Sequence, residues 1–372
     1  MIGILTFYWA DNHGALLQAY ALRRYLEKQG EQVTIIPYAP YKLAANYWLV
    51  PFGGRRREDG SLRYCFYYGV FLRNLQTLGR FEKRRKLMRM FRRRYLTSAL
   101  PVRDAKNIPL KAYKSVFIGS DQVWNPEITA GMDDAYIGNL PRREDCRLIA
   151  YGASFGGATL SEADREAFVR HVGIFHAVSV REQSGAEYAR RLLGREVEHV
   201  LDPSLLLERS DWEEIAKFPP EKDYILLYQM PLRKPLLLFA KALSARLGKK
   251  LVAFSNPADA HSIQAYEPKA GAGPAEFVGY IRNAFCVITN SFHGTALSIL
   301  FEKPFLTYCQ STRDIRQKDL LKSLGLTSHL LDLEEEPEPP VEEIWASTDW
   351  EQVRAQLFEE RERSRRFIDE NK

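Results

Sequence analysis

The chain has 372 residues, 45% hydrophobic and 27% charged, a globular composition that excludes disorder and collagen-like repeats. Its length exceeds what one small core needs and predicts two domains. The formal net charge is +6, no apolar run approaches the roughly 20 residues of a membrane helix, and the four cysteines stand far apart without a CxxC.

These features fit a protein of the reducing cytosol rather than a zinc cluster or a disulfide scaffold. The start, MIGILTFYWADNHG, has no basic n-region and no small-residue cleavage site, so no secretory leader is expected. The expected location is cytoplasmic.

In chain order, IGILTF reads as a strand and ALLQAYALRRYLEKQG as a helix, with Gly30 as its stop. QVTIIPY is a second strand, rich in β-branched residues. This βαβ opening implies a parallel sheet. Residues 40–100 read as an irregular insertion with short helices and no sheet. Within it, Arg80 to Arg94 hold nine Lys/Arg and one Glu, a local balance of +8 that leaves −2 for the rest of the chain. Phe81, Met88, Phe91 and Tyr95 are spaced for one helical face, with arginines around it. Such a helix is either a solvated surface or a surface for anionic lipid head groups or an anionic acceptor. Charge alone would also suit nucleic acid, but no helix-turn-helix, zinc-finger or RNP-like pattern accompanies it, and no nucleic-acid partner is expected.

SVFIGS, RLIAYGASFG, AVSVREQSG and EHVLDPSLLL then repeat a buried strand followed by a polar loop. In open α/β sheets ligands bind beyond the carboxyl ends of strands. The loops at Asn12-His13-Gly14, Ser120-Asp121-Gln122, Ser154 and Arg181-Glu182 all follow strands and are expected along one edge. ERSDWEEIAKFPPEKD, residues 208–223, reads as a linker with Pro219-Pro220 as its break. YILLYQM, KLVAFS, FCVITNS and PFLTYC open a second α/β unit. The expected division is 1–207, linker 208–223, 224–335, then an acidic linker and closing helix over 336–372. TDWE, Thr348 to Glu351, has the form of a capping box for that helix, and Trp350, Val353 and Leu357 give it an apolar stripe.

ITNSFHGTALSILFEKPF, from Ile288 to Phe305, places one His-Gly step between a strand and a helix. His293 is either a core residue that pins the turn or part of an anion site at a helix start, where backbone N–H groups and the helix dipole favour negative charge.

TFYWADNHGALLQAYAL, FIGSDQVWNP, YGASFG, VSVREQSG, VLDPSLLL and NSFHGTALSILFEKPF occur in this order. Together they resemble the polysaccharide pyruvyl transferase family, from about Ile2 to about Leu326. The resemblance implies an α/β fold like that of GT-B glycosyltransferases, two Rossmann-like domains facing across a cleft. It implies a co-substrate, phosphoenolpyruvate, and a product in which a pyruvate ketal bridges two hydroxyls of a cell-surface polysaccharide or its precursor. No cofactor is expected, and no His, Asp, Glu or Cys cluster has metal spacing, although this chemistry can use a divalent ion. The acceptor is a saccharide; the basic helix suits a lipid-linked one at the inner face of the membrane. The alternative is a nucleotide-sugar glycosyltransferase of the same fold.

Such chemistry needs cations or N–H groups for phosphate and carboxylate, a general acid for the enol carbon and a base for a sugar hydroxyl. His293 is the first acid/base candidate, because imidazole titrates near neutrality, and His13 is the second. Gly294 and Thr295 would offer N–H groups to the donor. In some members of the family the residue two before this His is an arginine; here it is Ser291. Arg181 and Arg316, which match other family arginines, are the expected donor ligands, since a guanidinium fork suits phosphate and carboxylate. Asn12, Gly14, Ser120, Asp121, Gln122 and Trp124 are the expected acceptor ligands. Against these stand plainer readings: Asn12 as a helix cap, Trp124 as core, and the arginines as ion pairs.

Overall fold

The computed structural model describes residues 1–56, 62–76, 78–254, 267–268, 271–309, 314–335 and 339–372. The chain forms two compact units. Unit 1 comprises Met1–Phe71, Met90–Leu206 and Glu360–Lys372; unit 2 comprises Leu72–Arg89 and Leu207–Glu359. The basic segment is thereby shared, with Leu72–Arg89 in the second unit and Met90 onward in the first. The fold class is α/β, with a Rossmann-like parallel sheet in each unit.

The strands of unit 1 are β1 (Ile2–Leu5), β2 (Val33–Ile35), β3 (Phe52–Arg56), β4 (Leu62–Phe66), β5 (Ser115–Gly119), β6 (Arg147–Ala153), β7 (Ala177–Val180) and β8 (Glu198–His199). Six of them form a wholly parallel sheet in the order β2-β1-β5-β6-β7-β8. β1, β5 and β7 are buried along their whole length, which is why they read as apolar runs without alternation. Helix His13–Lys28 follows β1, and Gly30 ends it at φ +82, a left-handed conformation that glycine adopts without steric cost. Strand order reverses between β1 and β5, so the loops after these two strands diverge and leave a crevice.

β3 and β4 correct the expectation that the insertion holds no sheet: they pair antiparallel, Phe52 opposite Phe66 and Arg56 opposite Leu62. The tip between them, 57–61, lies outside the described residues. The paired residues lack an alternating apolar pattern, so the hairpin left no period-2 signal.

Unit 2 contains β9 (Ile225–Tyr228), β10 (Leu251–Phe254), β11 (Glu267–Pro268), β12 (Cys286–Thr289), β13 (Phe305–Tyr308) and β14 (Leu330–Leu331). They form a second all-parallel sheet ordered β11-β10-β9-β12-β13-β14. This is the doubly wound order of a dinucleotide-type unit, and its reversal falls between β9 and β12. The expected linker is partly helix: Arg209–Ile215 has reciprocal caps from Glu208 and Asp211, and Trp212 is fully buried. Two buried apolar side chains, Trp212 and Ile215, anchor the segment despite its charges.

Helix Leu78–Phe91 has the expected stripe, with Met88 and Phe91 buried, while Arg80, Lys83, Lys86 and Arg89 are exposed. The C-terminal helix, Trp350–Asn371, buries Val353 and Leu357 in unit 2 and Phe367 and Ile368 in unit 1. Its cap is Asp349 rather than Thr348. The Asp349 carboxylate accepts from Glu351 N and Gln352 N at 3.0 Å, whereas the Thr348 hydroxyl lies 2.9 Å from Ile344 O and 2.9 Å from His329 Nε2, away from the helix start. Among the described residues no helix is long and apolar enough to cross a membrane.

Candidate functional sites at the two sheet reversals

In unit 1 the loop after β1 is held by three devices. Asn12 caps helix His13–Lys28, its side chain accepting from Ala15 N at 3.2 Å. Asp11 pairs with Arg92 at 2.7 Å, and the same guanidinium donates to Trp9 O at 3.2 Å. Gln18 donates to Thr6 Oγ1 at 2.9 Å from within the helix. His13 and Gly14 are buried at the helix start, beside the cap. Arg92 is a residue the sequence did not single out, because it stood among eight other basic residues with no visible partner.

The loop after β5 starts with strain. Ser120 has φ +69, rare for a residue with a side chain. Its N–H and its hydroxyl both donate to Tyr151 O, at 2.9 and 3.2 Å. Asp121 accepts from Gln122 N at 2.8 Å, and Gln122 accepts from Asn125 Nδ2 at 2.7 Å; both are half-buried. These two keep polar surface at the crevice. Trp124 does not. It is fully buried, donates through Nε1 to Tyr136 O at 3.0 Å, and packs against Phe155 and Phe168. It is a core residue with no face open to a sugar.

Beyond β6 and β7 lies a buried charged cluster. The Ser154 hydroxyl donates to the Glu182 carboxylate, and Arg181 donates to Asp202 and, at 3.0 Å, to Ser120 O. Burial works against the Arg181 charge, but Asp202, Glu182 and Asp121 outweigh it and hold the guanidinium more firmly protonated than usual. Arg181 therefore props the strained Ser120 turn from within unit 1. Ser291, Gly294, Thr295 and Arg316, the other expected donor ligands, all belong to unit 2.

In unit 2 the loop after β12 is built on Ser291. Its N–H donates to Thr289 Oγ1 at 3.0 Å, and its hydroxyl caps helix Phe292–Leu300 by accepting from Gly294 N at 3.4 Å. Its carbonyl accepts the Thr295 N–H at 3.0 Å and the Thr295 hydroxyl at 3.1 Å. That hydroxyl also meets Thr307 Oγ1 at 2.8 Å. The Gly294 amide and the Thr295 groups thus build the turn. Gly294 must be glycine because a Cβ there would lie 2.5 Å from Thr289 Oγ1 and 3.1 Å from Tyr228 Cδ1. The helix start is thereby pressed onto the ends of β9 and β12, and His293, 7% exposed, is held there beside the Phe292 ring.

Neighbouring strand ends complete this loop. Asn290 accepts from Met230 N at 2.8 Å and donates to Pro231 O at 2.9 Å, which ties the β9 exit to the β12 exit. Helix Ile315–Ser323 joins through Gln317, which donates to Asn290 O at 3.2 Å. It carries Arg316, half-buried, with its guanidinium 5.8 Å from the Phe292 ring centre. The Tyr228 hydroxyl, deep at the end of β9, donates to Met230 Sδ at 3.4 Å. Burial pushes this phenol up to about 12, an effect that the charge of Arg84 and the Ser291 side chain moderate. Asn290 and Tyr228 were missed because only folding brings the ends of β9 and β12 together; Asn290, next to the SFHG motif, had a local signal. Among the described residues no group of three His, Cys, Asp or Glu is placed to hold a metal ion.

The model of one family, described as polysaccharide pyruvyl transferase, matches residues 12–308. The chain belongs to that family. Both His-Gly steps and the sheet reversal of unit 2 fall inside the matched region, whereas β1, one side of the reversal of unit 1, precedes it. The family is one of transferases acting on polysaccharide. No curated protein matches the chain. Solved structures with a similar fold include Staphylococcus aureus MnaA with UDP, 11% identical over 96% of this chain and 90% of that one, TM-score 0.45. Another is the Methanocaldococcus jannaschii UDP-GlcNAc 2-epimerase, 12% identical over 94% and 93%, TM-score 0.46. A third is the calicheamicin glycosyltransferase CalG4, 14% identical over 98% and 94%, TM-score 0.45. The fold class rests on the two sheets themselves.

Proposed function

We propose that this pyruvyl transferase family member transfers a pyruvyl group from phosphoenolpyruvate to a saccharide of a cell-surface polysaccharide or its precursor and leaves a pyruvate ketal. The observation that carries this reading is His293, held at the second position of a helix that starts at the sheet reversal of unit 2, with Arg316 against the same turn. An imidazole there is suited to give the enol carbon its proton. A sugar hydroxyl then adds to the carbon bearing phosphate, and the second hydroxyl displaces phosphate. Two C–O bonds form and the C–O bond to phosphate breaks. One hydroxyl proton restores the acid and the other leaves with phosphate. The polar loops Asn12–Gly14 and Ser120–Gln122 of unit 1 are assigned to the acceptor, with His13 as the base, and the exposed basic residues of Leu78–Phe91 to a membrane-side acceptor at the inner face.

The test is thermal unfolding with phosphoenolpyruvate, and separately with UDP- and GDP-sugars. A ligand that binds only the folded chain raises the midpoint with the logarithm of its excess over Kd. Phosphoenolpyruvate is expected to raise it, and His293→Gln to keep that shift while losing phosphate release by about 10²–10⁴-fold. A shift with nucleotide sugars alone would replace this reading with glycosyl transfer.

A further inference from the structure

Gln229 follows β9 at the sheet reversal of unit 2 and is fully buried. Successive strand residues alternate between faces. Leu227 shares a core with Leu236 and Leu237 of helix Lys234–Leu247, Tyr228 turns the other way to Phe277 and Gly294, and Gln229 returns to the first face. There its Oε1 accepts from Arg233 N, the cap of that helix, at 2.9 Å. The Arg233 N–H can only donate, so the amide oxygen faces it and the Nε2 donor is left over. Nε2 is buried and has no hydrogen-bond acceptor among the described residues. A buried amide donor in this condition is rare, and costly unless a ligand completes it.

The helix start beside it favours negative charge. No side chain caps it, and its first turn holds no acidic residue. The first intrahelical bond runs from Leu237 N to Arg233 O at 3.1 Å, so the amides of Lys234 and Leu236 precede it. Arg233 and Lys234, both exposed, stand at the end of the helix where the dipole disfavours cations. An oxyanion there satisfies the Gln229 donor, the dipole and both cations together. The place adjoins the His293 turn. Tyr228 is opposite Thr289, so Gln229 and Asn290 are the next residues of neighbouring strands, and Asn290, just before Ser291, fastens Met230 and Pro231. We propose that Gln229, with the start of helix Lys234–Leu247, is a second oxyanion site in unit 2, taking one anionic group of a ligand whose other anionic group lies at the His293 turn. Phosphoenolpyruvate, with its phosphate and carboxylate, has this chemistry, and so has a nucleoside diphosphate. This inference rests on the reading of unit 2 as the donor unit.

The experiment is calorimetric titration of the full chain with inorganic phosphate, phosphoenolpyruvate and UDP, for wild type, Gln229→Glu, Lys234→Gln and Lys222→Gln, an exposed lysine before β9 at the other end of the strand. Gln229→Glu keeps the shape and the acceptor for Arg233 N, so a residue that only capped the helix would tolerate it. It replaces the donor by an anionic oxygen, and is expected to weaken phosphoenolpyruvate on the order of 10- to 100-fold. Lys234→Gln should weaken it roughly 2- to 5-fold, and Lys222→Gln should leave it unchanged. Wild-type affinity for every ligand in folded Gln229→Glu overturns the site and leaves the pyruvyl reading standing if phosphoenolpyruvate binds. Gln229-dependent binding of phosphate or UDP without phosphoenolpyruvate keeps the site and removes the pyruvyl reading. If Gln229→Glu does not unfold cooperatively, Lys234→Gln against Lys222→Gln carries the test, and equal affinities of these two overturn the site. No binding of any of the three to wild type removes both.

Discussion

Arg181 donates to the Asp202 carboxylate with almost no exposure of either side chain, 2% and 0%. The same group donates to Ser120 O and so supports a residue held at φ +69. Removing the cation leaves Asp202 and Glu182 charged in a dry interior, which costs far more than the pair itself contributes. Arg181→Met is therefore expected to lose about 3–5 kcal/mol in urea unfolding. A loss below about 1 kcal/mol would show that the pair is not buried as described. Substitution of Arg181 is thus expected to act through folding, whereas substitution of Arg316, a proposed donor ligand, is expected to act through binding. A strand-end arginine is visible in VSVRE, but its partner 21 residues later is not, because only the parallel β7–β8 register brings Asp202 back. For Trp124 the residue type told nothing, since an aromatic after a strand suits core and sugar site alike.

Elements tell a different story, because periodicity reports burial directly. Buried parallel strands read as apolar runs, the helices as 3.6-residue stripes, and the two sheets were legible from these alone. What failed were features made by tertiary partners: the β3–β4 hairpin, the Trp212 anchor and the Asp349 cap. His329 shows how one such partner adds pH dependence. It ends a short turn before β14, stacks on Phe305 at 4.4 Å, donates to Phe305 O at 2.9 Å through Nδ1, and meets Thr348 Oγ1 at 2.9 Å through Nε2. The carbonyl can only accept, so Nδ1 carries the proton. Burial disfavours the charged ring and holds its pKa below the ordinary imidazole value, although the Phe305 carbonyl opposes this. Folded and unfolded chains then differ in protons bound. The unfolded state takes up a proton near pH 6.5, the folded state only at lower pH. The stability contributed is complete above the unfolded value and is lost as pH falls through it towards the folded value. Unfolding midpoints of wild type should therefore drop more between pH 7.5 and pH 5.5, about one unit on either side of that value, than those of His329→Gln. Parallel curves for the two would count against a buried neutral ring.

At the scale of the whole molecule, the charge is a property of one segment. Arg80 to Arg94 carry +8 in a chain of net +6. Apart from Arg84, which is buried, and Arg85 and Arg92, which are half-buried, the cationic residues Arg80, Lys83, Lys86, Arg89, Arg93 and Arg94 are exposed. Exposed apolar side chains accompany them: Leu72, Leu75, Leu78 and Met90 range from 39% to 51%. Basic residues beside exposed apolar ones are what an anionic bilayer surface binds, at about 1 kcal/mol per Lys or Arg. Replacing Arg80, Lys86 and Arg89 together by Gln should remove about 3 kcal/mol, roughly a 100-fold loss of affinity for vesicles that contain phosphatidylserine. Raising the salt should weaken wild-type binding, because the Debye length shortens from about 10 Å at 0.1 M to about 3 Å at 1 M. Vesicle co-sedimentation measures both. The three substitutions leave the proposed donor residues His293 and Arg316 in place, so phosphoenolpyruvate binding should survive them. Equal sedimentation with neutral and anionic vesicles would remove the membrane as partner, and a preference for RNA at the same ionic strength would give the surface to nucleic acid instead.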